Sequence, residues 1–297
     1  MTTAVRRVAF VGAGNMGGAM VARLCELGWP VSVCDIDIER QQQAIASGAD
    51  LAETPACAAA ALGECGVLII AVVTASQSRE VLFGENGAIK ALVPGQTVML
   101  CPTISPDDVE VLASQLALKG VNCIDAPMSG GPARAREGSM SLMLAGPATV
   151  LAQQAELLAA LSSQRFAVSE RPGDGARTKL VNNLLAGINL VGAAEALALA
   201  ERLGLDLNKT LDVIERSSGQ SWIGSDRMRR AVAGDFAPRA HVTLLEKDTG
   251  LAMQAAKSVG FEGPLGQRTA QAFADAHAAG LAELDDAALF TLLRKPR

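Results

Sequence analysis

The stretch Val8–Gly17, VAFVGAGNMG, contains the pattern that decides the fold. Its first residues are apolar, as in a buried strand, and Gly12-Ala13-Gly14-Asn15-Met16-Gly17 follows as G-x-G-x-x-G. After a strand, Gly12 permits a tight turn, Gly14 lets the backbone approach a pyrophosphate, and Gly17 allows a helix to pack closely. The stretch therefore predicts the opening strand, loop and helix of a Rossmann domain.

Asp35 supports a dinucleotide ligand for this loop. It ends the second predicted strand, where a carboxylate accepts hydrogen bonds from ribose hydroxyls and repels a 2′-phosphate. The next cation along the chain is Arg40, so we predict NAD rather than NADP, bound by Asp35 and the glycine loop, including Asn15 and Met16. The alternative is a glycine-rich turn without a ligand. The glycine motif, its position after a strand and the acid Asp35 together argue against this alternative.

The rest of the chain divides into two patterns. Up to Val168, short aliphatic runs alternate with longer amphipathic ones, which is typical of a parallel sheet with helices on both faces. Beyond it, residues 175–203 form one uninterrupted helical pattern that ends at Gly204. We predict an α/β fold: a doubly wound Rossmann domain over residues 1–168, and an all-helical substrate and oligomerisation domain over residues 169–297, including the connecting helix. The predicted strands cover residues 8–11, 31–34, 67–72, 97–100, 122–124, 141–144 and 165–168.

Composition excludes several other classes of protein. The formal net charge is −5 without a basic cluster, which argues against nucleic-acid partners. The apolar run after Arg7 breaks at Gly12, too early for a signal peptide, and no run reaches the roughly eighteen apolar residues of a membrane span. Six cysteines without Cys-x-x-Cys spacing predict buried, reduced, structural thiols, and two distant histidines predict no metal site. We therefore expect a cytoplasmic protein without a membrane partner.

The first candidate for substrate binding is the loop Asp125–Pro132, DAPMSGGP, which follows a predicted strand. Gly130 and Gly131 come directly after Ser129, and consecutive backbone N–H groups in such a loop suit a carboxylate. The alternative interpretation is an ordinary turn at the end of a strand.

The second candidate is a lysine in the long predicted helix. Lys179 and Asn183 are four residues apart, on one helical face that is otherwise apolar. Partial burial there would lower the pKa of Lys179 toward the range useful for proton transfer. The alternative is a surface lysine whose apolar stem packs on the helix while its ammonium stays in water.

Four ordered motifs resemble the β-hydroxyacid dehydrogenase family over essentially the whole chain. They are the glycine loop 12–17, the loop 125–131, the segment 173–183 and the pair Lys247-Asp248. The resemblance implies that Lys179 is the general acid/base and that Asn183 orients the substrate. It also implies that Ser129, Gly130 and Gly131 hold the substrate carboxylate.

The same resemblance implies three further contacts to the cofactor. Lys247 would close over the nicotinamide end of the site. Without the resemblance, Lys247 beside Asp248 would be interpreted as a surface ion pair. Thr103 matches a family threonine that touches the cofactor. Where many relatives carry Leu-Pro, this chain reads Val72-Val73, and Val73 takes the place of the cofactor-contacting residue.

The stretch Val81–Gly84, VLFG, is similar to the branch of the family that oxidises L-threonate, a four-carbon sugar acid. We therefore expect NAD-dependent oxidation of a small carboxylate-bearing hydroxy acid, with tartronate semialdehyde reductase and 3-hydroxyisobutyrate dehydrogenase as alternatives. Imine reductases share the fold but usually lack the lysine, and a non-catalytic NAD-sensing protein would not need Lys179, Asn183 and Lys247. Apolar faces on the long helix predict a homodimer or homotetramer.

Overall fold

The computed structural model describes residues 7–294. The first residues of the predicted domain 1–168 and the last residues of the predicted domain 169–297 therefore lie outside the described residues. The first part of the chain forms one sheet with the strand order β3-β2-β1-β4-β5-β6-β8-β7, and β9 pairs with β8. Its strands are β1 Val8–Val11, β2 Val31–Cys34, β3 Asp50–Leu51, β4 Val67–Ile70, β5 Thr97–Leu100, β6 Asn122–Asp125, β7 Met128–Ser129, β8 Ser141–Ala145 and β9 Gln164–Ser169.

The strand order reverses between β1 and β4. β1 pairs in parallel with β2 on one side and with β4 on the other, so that Val11 lies opposite both Cys34 and Ile70. Loops that leave β1 and β4 therefore diverge to opposite faces of the sheet and open a crevice at its carboxyl edge. In doubly wound sheets, such a switch point is where ligands bind.

Helices cover both faces of this sheet. They are α1 Asn15–Glu26, α2 Ile38–Ala46, α3 Pro55–Ala60, α4 Ala75–Phe83, α5 Pro106–Ala117, α6 Gly131–Glu137, α7 Ala148–Gln153 and α8 Ala155–Leu161. Alternate residues of β1 enter two different cores: Val8 and Phe10 pack with α1 residues such as Leu24, while Ala9 and Val11 pack on the opposite face. The prediction of a doubly wound α/β domain is confirmed.

The far half of the sheet differs from the all-parallel prediction. β8 pairs antiparallel with both β6 and β7, whereas β9 is parallel to β8. β3 and β7 have two residues each and were not predicted, because so short a strand shows no periodicity.

The remaining helices are α9 Asp174–Arg202, α10 Leu207–Glu215, α11 Trp222–Val232, α12 Val242–Ser258, α13 Gly266–Ala276 and α14 Leu289–Arg294, with short helical turns at Ala88–Lys90, His277–Leu281 and Asp286–Ala288. The chain forms two compact units, Met1–Lys179 and Leu180–Arg297. The division falls inside α9, whose observed bounds agree with the predicted helix 175–203 to within one residue at each end. The functional boundary at residues 168/169 stays a prediction.

The long helix α9 contributes the centre of the second unit's core. Leu190, Ala194 and Leu197 of α9 are buried against Phe273 of α13 and Met228 of α11. By length and composition alone, α9 would also qualify as a membrane span, with a mean hydropathy of 1.5. A core helix passes the same test, and packing within the second unit explains the apolar residues on the buried face of α9.

Candidate active site

The parallel strands bring several predicted site residues to one edge of the first unit. Ile70 lies opposite Leu100, and Leu100 lies opposite Asp125, so β4, β5 and β6 end at the same level as β1. The loops that follow these strands contain the glycine loop, Val73, Thr103 and the Ser129 loop. Residues far apart in the sequence are thus gathered along the carboxyl edge of the sheet.

The glycine loop has the backbone that the motif predicts. Gly12 has a φ of 97°, and a Cβ there would lie 2.7 Å from the carbonyl oxygen of Ala71, beside the switch point. A Cβ on Gly17 would overlap the carbonyl oxygen of Gly12. A Cβ on Gly14, in contrast, would have no neighbour within 4 Å, so its surface is open to a ligand.

The start of α1 is suited to a phosphate group. Its N-cap is Gly14, which offers no side-chain hydrogen bond to the first turn, where Asn15 and Met16 follow. The backbone N–H groups of that turn and the positive end of the helix dipole therefore remain available to an anion. Together with the open surface at Gly14, this cradle fits the pyrophosphate of a dinucleotide.

Asp35 has a second role that its sequence position did not show. Its Oδ2 accepts a hydrogen bond from the backbone N–H of Ala13 at 2.5 Å, and its Oδ1 accepts one from Asp37 at 2.9 Å. Asp35 therefore holds the glycine loop, and its contact to a ribose stays a prediction. Arg40 lies near the same loop, with its guanidinium 3.4 Å from Oδ1 of Asn15.

The loops after β4 and β5 carry the other two predicted cofactor contacts of this unit. Val73 is 48% exposed, and its backbone N–H donates to Oε1 of Gln77 at 2.9 Å. The same Gln77 forms a capping box with Thr74, the N-cap of α4, so side-chain hydrogen bonds hold this loop. Thr103 is half-buried just beyond β5.

The predicted substrate loop has consecutive glycines in the left-handed half of conformational space. Gly130 has a φ of 124° and Gly131 a φ of 78°, directly after Ser129, which is half-buried in β7. A Cβ on Gly131 would meet no atom within 4 Å. The backbone at Gly131 is therefore open to a ligand, as a carboxylate-binding loop requires.

Asp125, the first residue of that loop, binds the start of α9. Its Oδ2 accepts hydrogen bonds from the backbone N–H groups of Gly173, at 2.8 Å, and Ala176, at 3.0 Å. A Cβ on Gly175 would lie 2.9 Å from the same oxygen, so the glycine leaves room for the carboxylate. Sequence reasoning gave Asp125 no role, although an acid at a strand end and a glycine pair at a helix start were available signals.

The carboxyl of Asp125 is buried, and burial raises its pKa to about 6, against the opposing effect of the backbone hydrogen bonds. The start of α9 is also tied to α5: Arg177 forms ion pairs with Glu110 at 2.7 Å and with Asp174 at 2.9 Å. The first turns of α9 are therefore fixed to the sheet and to a neighbouring helix.

Lys179 lies on these anchored first turns. Only 7% of it is exposed, so it is not the solvent-exposed lysine of the alternative interpretation. A buried lysine in the same unit as the glycine loop and the Ser129 loop has the chemistry to exchange a proton with a substrate hydroxyl. Its catalytic role stays a prediction.

The second unit places Asn183 and Lys247 around one carboxylate. Asn183 is 8% exposed and donates from Nδ2 to Oδ2 of Asp248 at 2.5 Å. The ammonium nitrogen of Lys247 lies 2.8 Å from Oδ1 of Asp248, whose side chain is only 9% exposed. The Lys247-Asp248 pair is therefore largely buried rather than on the surface. The sequence showed Asp248 only as the neighbour of Lys247.

The described residues contain no group of three or more histidine, cysteine or acidic side chains that could hold a metal ion. The six cysteines are free thiols, but Cys57 and Cys65 are exposed, so the expectation of buried thiols was wrong for these two.

Two family profiles match the chain and together cover most of it. Residues 7–169 match the NAD-binding domain of 6-phosphogluconate dehydrogenase, and residues 173–293 match the NAD-binding region of NADP-dependent 3-hydroxyisobutyrate dehydrogenase. The fold and the glycine loop thus define an NAD-binding Rossmann protein with a helical second part.

Individual relatives narrow the family. L-threonate dehydrogenase of Cupriavidus necator is 36% identical over 288 residues, covering 97% of this chain and 96% of the relative. 3-Hydroxyisobutyrate dehydrogenase of Pseudomonas aeruginosa is 34% identical over 267 residues, covering 87% and 88%. The crystal structure of a 3-hydroxyisobutyrate dehydrogenase from Salmonella typhimurium superposes with a TM-score of 0.89 at 35% identity, covering 97% and 99%. The chain belongs to the β-hydroxyacid dehydrogenase family, a group of NAD-binding oxidoreductases that act on CH–OH groups.

Proposed function

We propose that this chain oxidises L-threonate with NAD, converting the hydroxyl next to the carboxylate into a ketone and giving the 2-oxo acid 2-oxo-tetronate, with Lys179 as the proton acceptor. The observation that carries the proposal is the burial of Lys179 on a helix whose start is bound by Asp125. Asp125 also opens the loop proposed to hold the substrate. One strand end thus supports both the proposed base and the proposed carboxylate site.

In the proposed reaction, one CH–OH group of the substrate loses the proton of its hydroxyl and a hydride from its carbon. The backbone N–H groups of Gly130 and Gly131, with Ser129, bind the substrate carboxylate. Asn183 orients the substrate, and the proton of the reacting hydroxyl passes to the neutral amine of Lys179 as the C–O bond becomes a carbonyl. When bound, NAD would supply the acceptor for the hydride that leaves the same carbon. In the reverse direction, the Lys179 ammonium returns the proton to the new alkoxide.

The cofactor proposal assigns a part to each loop of the carboxyl edge. The open surface at Gly14 and the uncapped start of α1 support pyrophosphate binding, and Asp35 supports the ribose of NAD over a 2′-phosphate. Lys247 closes over the nicotinamide end. The proposed NAD contacts are Gly12, Gly14, Asn15, Met16, Gly17, Asp35, Val73, Thr103 and Lys247.

The choice of substrate rests on relatives. L-threonate dehydrogenases are 33% to 36% identical to the chain, and a 3-hydroxyisobutyrate dehydrogenase is 34% identical. The second candidate is therefore 3-hydroxyisobutyrate, which has its hydroxyl one carbon further from the carboxylate. Both substrates would use the same carboxylate loop and the same lysine.

A panel of hydroxy acids tests the proposal. Purified protein is mixed with L-threonate, D-threonate, 3-hydroxyisobutyrate or glycerate and with NAD or NADP, and the absorbance of the reduced nicotinamide is followed. We expect the highest kcat/KM with L-threonate and NAD, and tartronate semialdehyde with NADH is tested in reverse. Faster turnover of 3-hydroxyisobutyrate would favour the second candidate. No turnover of any small hydroxy acid would favour a non-catalytic NAD-sensing protein.

We also propose that the protein is cytoplasmic and self-associates. The support for association is a set of exposed apolar side chains on α9, among them Val181 at 70%, Leu185 at 58% and Leu199 at 58%. Such side chains are stabilised when a second copy covers them. Light scattering of the purified protein should give the mass of a dimer or a tetramer, and a mass of 30.6 kDa would contradict the proposal.

A further inference from the structure

The side-chain amide of Asn183 donates a hydrogen bond to Asp248 within the second unit. Oδ2 of Asp248 accepts the Nδ2 hydrogen bond at 2.5 Å, and both residues are buried, at 6% and 8% exposure. The contact joins α9 to α12, which are far apart in the sequence. A short hydrogen bond to a carboxylate, shielded from water, fixes an amide more firmly than a neutral partner does.

The two helices approach closely next to this contact. Gly187 follows Asn183 by one turn on the same face of α9, and a Cβ there would lie 3.0 Å from Cγ2 of Thr249. Thr249 directly follows Asp248 on α12 and is itself fully buried. The small residue in α9 thus lets the backbones come near enough for the Asn183 side chain to reach the carboxylate.

The chemistry of the two side chains determines which way the amide faces. An ionised carboxylate only accepts hydrogen bonds, whereas an asparagine amide has an NH2 end that donates and an oxygen that accepts. The NH2 end of Asn183 must therefore face Asp248, and its carbonyl oxygen faces away. That oxygen accepts one hydrogen bond, from Nδ2 of the exposed Asn182 at 3.0 Å, and has a second acceptor position.

The other carboxylate oxygen of Asp248 is paired differently. Oδ1 is buried without an aligned hydrogen bond, and Nζ of Lys247 lies 2.8 Å from it as an ion pair. One carboxylate therefore contacts two residues that the proposed function places at the substrate and at the cofactor.

We infer that Asp248 is a positioning residue, which holds Asn183 with its carbonyl oxygen turned toward the substrate so that it accepts a hydrogen bond from the substrate hydroxyl next to the reacting one. This inference rests on the proposed function. A neighbouring hydroxyl held by this acceptor fixes the sugar acid in place and leaves the proton of the reacting hydroxyl directed at the amine of Lys179. Without Asp248, the amide rotates, and its NH2 end competes for the same place.

Removing the charge of Asp248 tests this role. In Asp248→Asn, the new amide presents either end to Asn183, so we expect kcat to fall by about 10- to 100-fold. Asp275→Asn, the same change at an exposed acid of α13, is the matched control and should keep full kcat. Unchanged kcat in Asp248→Asn would overturn the inference.

A double-mutant cycle separates positioning from general destabilisation. If Asp248 acts through Asn183, Asp248→Asn should change kcat little in a protein that already carries Asn183→Ala. It should keep its effect in a protein that carries Lys247→Ala. Equal losses in the wild-type and Asn183→Ala backgrounds would contradict the inference.

Exchanging the two residues offers a rescue. In Asn183→Asp, two carboxylates face each other, so activity should appear only toward acid pH, where the pair shares a proton. In the double variant Asn183→Asp with Asp248→Asn, the donor and acceptor trade places and the outward oxygen is restored, so part of kcat should return at neutral pH. No recovery in a folded double variant would count against the inference. If the wild-type protein oxidises no hydroxy acid, the proposed function has failed, whereas turnover that is insensitive to Asp248 rejects this inference alone.

Discussion

Asp125 binds Ala176 at the point where the sheet meets the long helix: its Oδ2 accepts the backbone N–H of Ala176 at 3.0 Å and that of Gly173 at 2.8 Å. β6 ends in this carboxylate, so the loop leading to Ser129 and the helix leading to Lys179 begin at one contact. The first N–H groups of a helix have no partner within the helix itself, and a buried acid satisfies them here.

Removing this carboxylate should destabilise the first unit. Asp125→Ala leaves buried backbone N–H groups without an acceptor, and we expect a loss of about 2–4 kcal/mol in the free energy of unfolding. Asp125→Asn keeps an acceptor oxygen and should lose less. Urea unfolding followed by Trp29 fluorescence, in a Trp222→Phe background, reports on this unit alone. Equal stability of the alanine and wild-type proteins would mean that the hydrogen bonds from the start of α9 to Asp125 do not stabilise the unit.

The same acid should make stability depend on pH. The pKa of Asp125 is raised in the folded protein from 3.8 to about 6, so the folded state holds its proton over a range in which the unfolded state has lost it. The stabilisation from this group is present at low pH and is lost as pH rises through about 6. Relative to Asp125→Asn, which does not titrate, the wild type should therefore lose about 1 kcal/mol between pH 5 and 7.5. A difference in the free energy of unfolding that stays constant with pH would show that the pKa of the Asp125 carboxyl is not raised.

The glycine loop offers a matched pair of variants. In Gly17→Ala the new methyl overlaps the carbonyl oxygen of Gly12, so both folding of the first unit and NAD binding should suffer. In Gly14→Ala the methyl meets no protein atom, so Tm should hold while the Kd for NAD rises by about tenfold or more, because the methyl occupies the approach of the pyrophosphate. Thermal unfolding and calorimetric titration measure the two effects. Unchanged NAD affinity in Gly14→Ala would place the pyrophosphate elsewhere.

Asp35 should set the preference for NAD over NADP. Asp35→Asn removes the charge that repels a 2′-phosphate, while the guanidinium of Arg40 stays beside Asn15 in the glycine loop. The ratio of the NADP to the NAD dissociation constant should therefore fall by about tenfold. Asp37→Asn removes an equal charge two residues away, where the carboxylate caps α2 through Glu39, and should leave that ratio near its wild-type value. A similar fall in both variants would mean that the preference comes from overall charge rather than from Asp35.

The sequence predicted what depends on local pattern. The glycine loop, the aliphatic strands and the bounds of α9 follow from periodicity and glycine spacing over a few residues, and the structure confirms them. Contacts between distant segments were not predictable in this way. Neither Asp125 with Ala176 nor Asn183 with Asp248 leaves a periodic signal, because each joins residues brought together only by packing. The strand β8 was predicted, but its antiparallel direction was not, because an apolar run of five residues does not encode the direction of a strand.

Lys179 carries the most direct test of the chemistry. Lys179→Met keeps most of the buried volume but cannot accept a proton, so kcat should fall by about 10²- to 10⁴-fold, while the Kd for NAD stays nearly unchanged. The matched control is Lys257→Met, at an exposed lysine of α12, which should keep full activity. A second variant, Lys179→Ala, leaves an empty space beside an intact substrate loop and cofactor cradle. A small primary amine added to Lys179→Ala should enter that space and restore part of kcat in proportion to the basicity of the amine. A full kcat in Lys179→Met would move the proton acceptor to another residue, and rescue that is independent of amine basicity would reduce Lys179 to a purely electrostatic role.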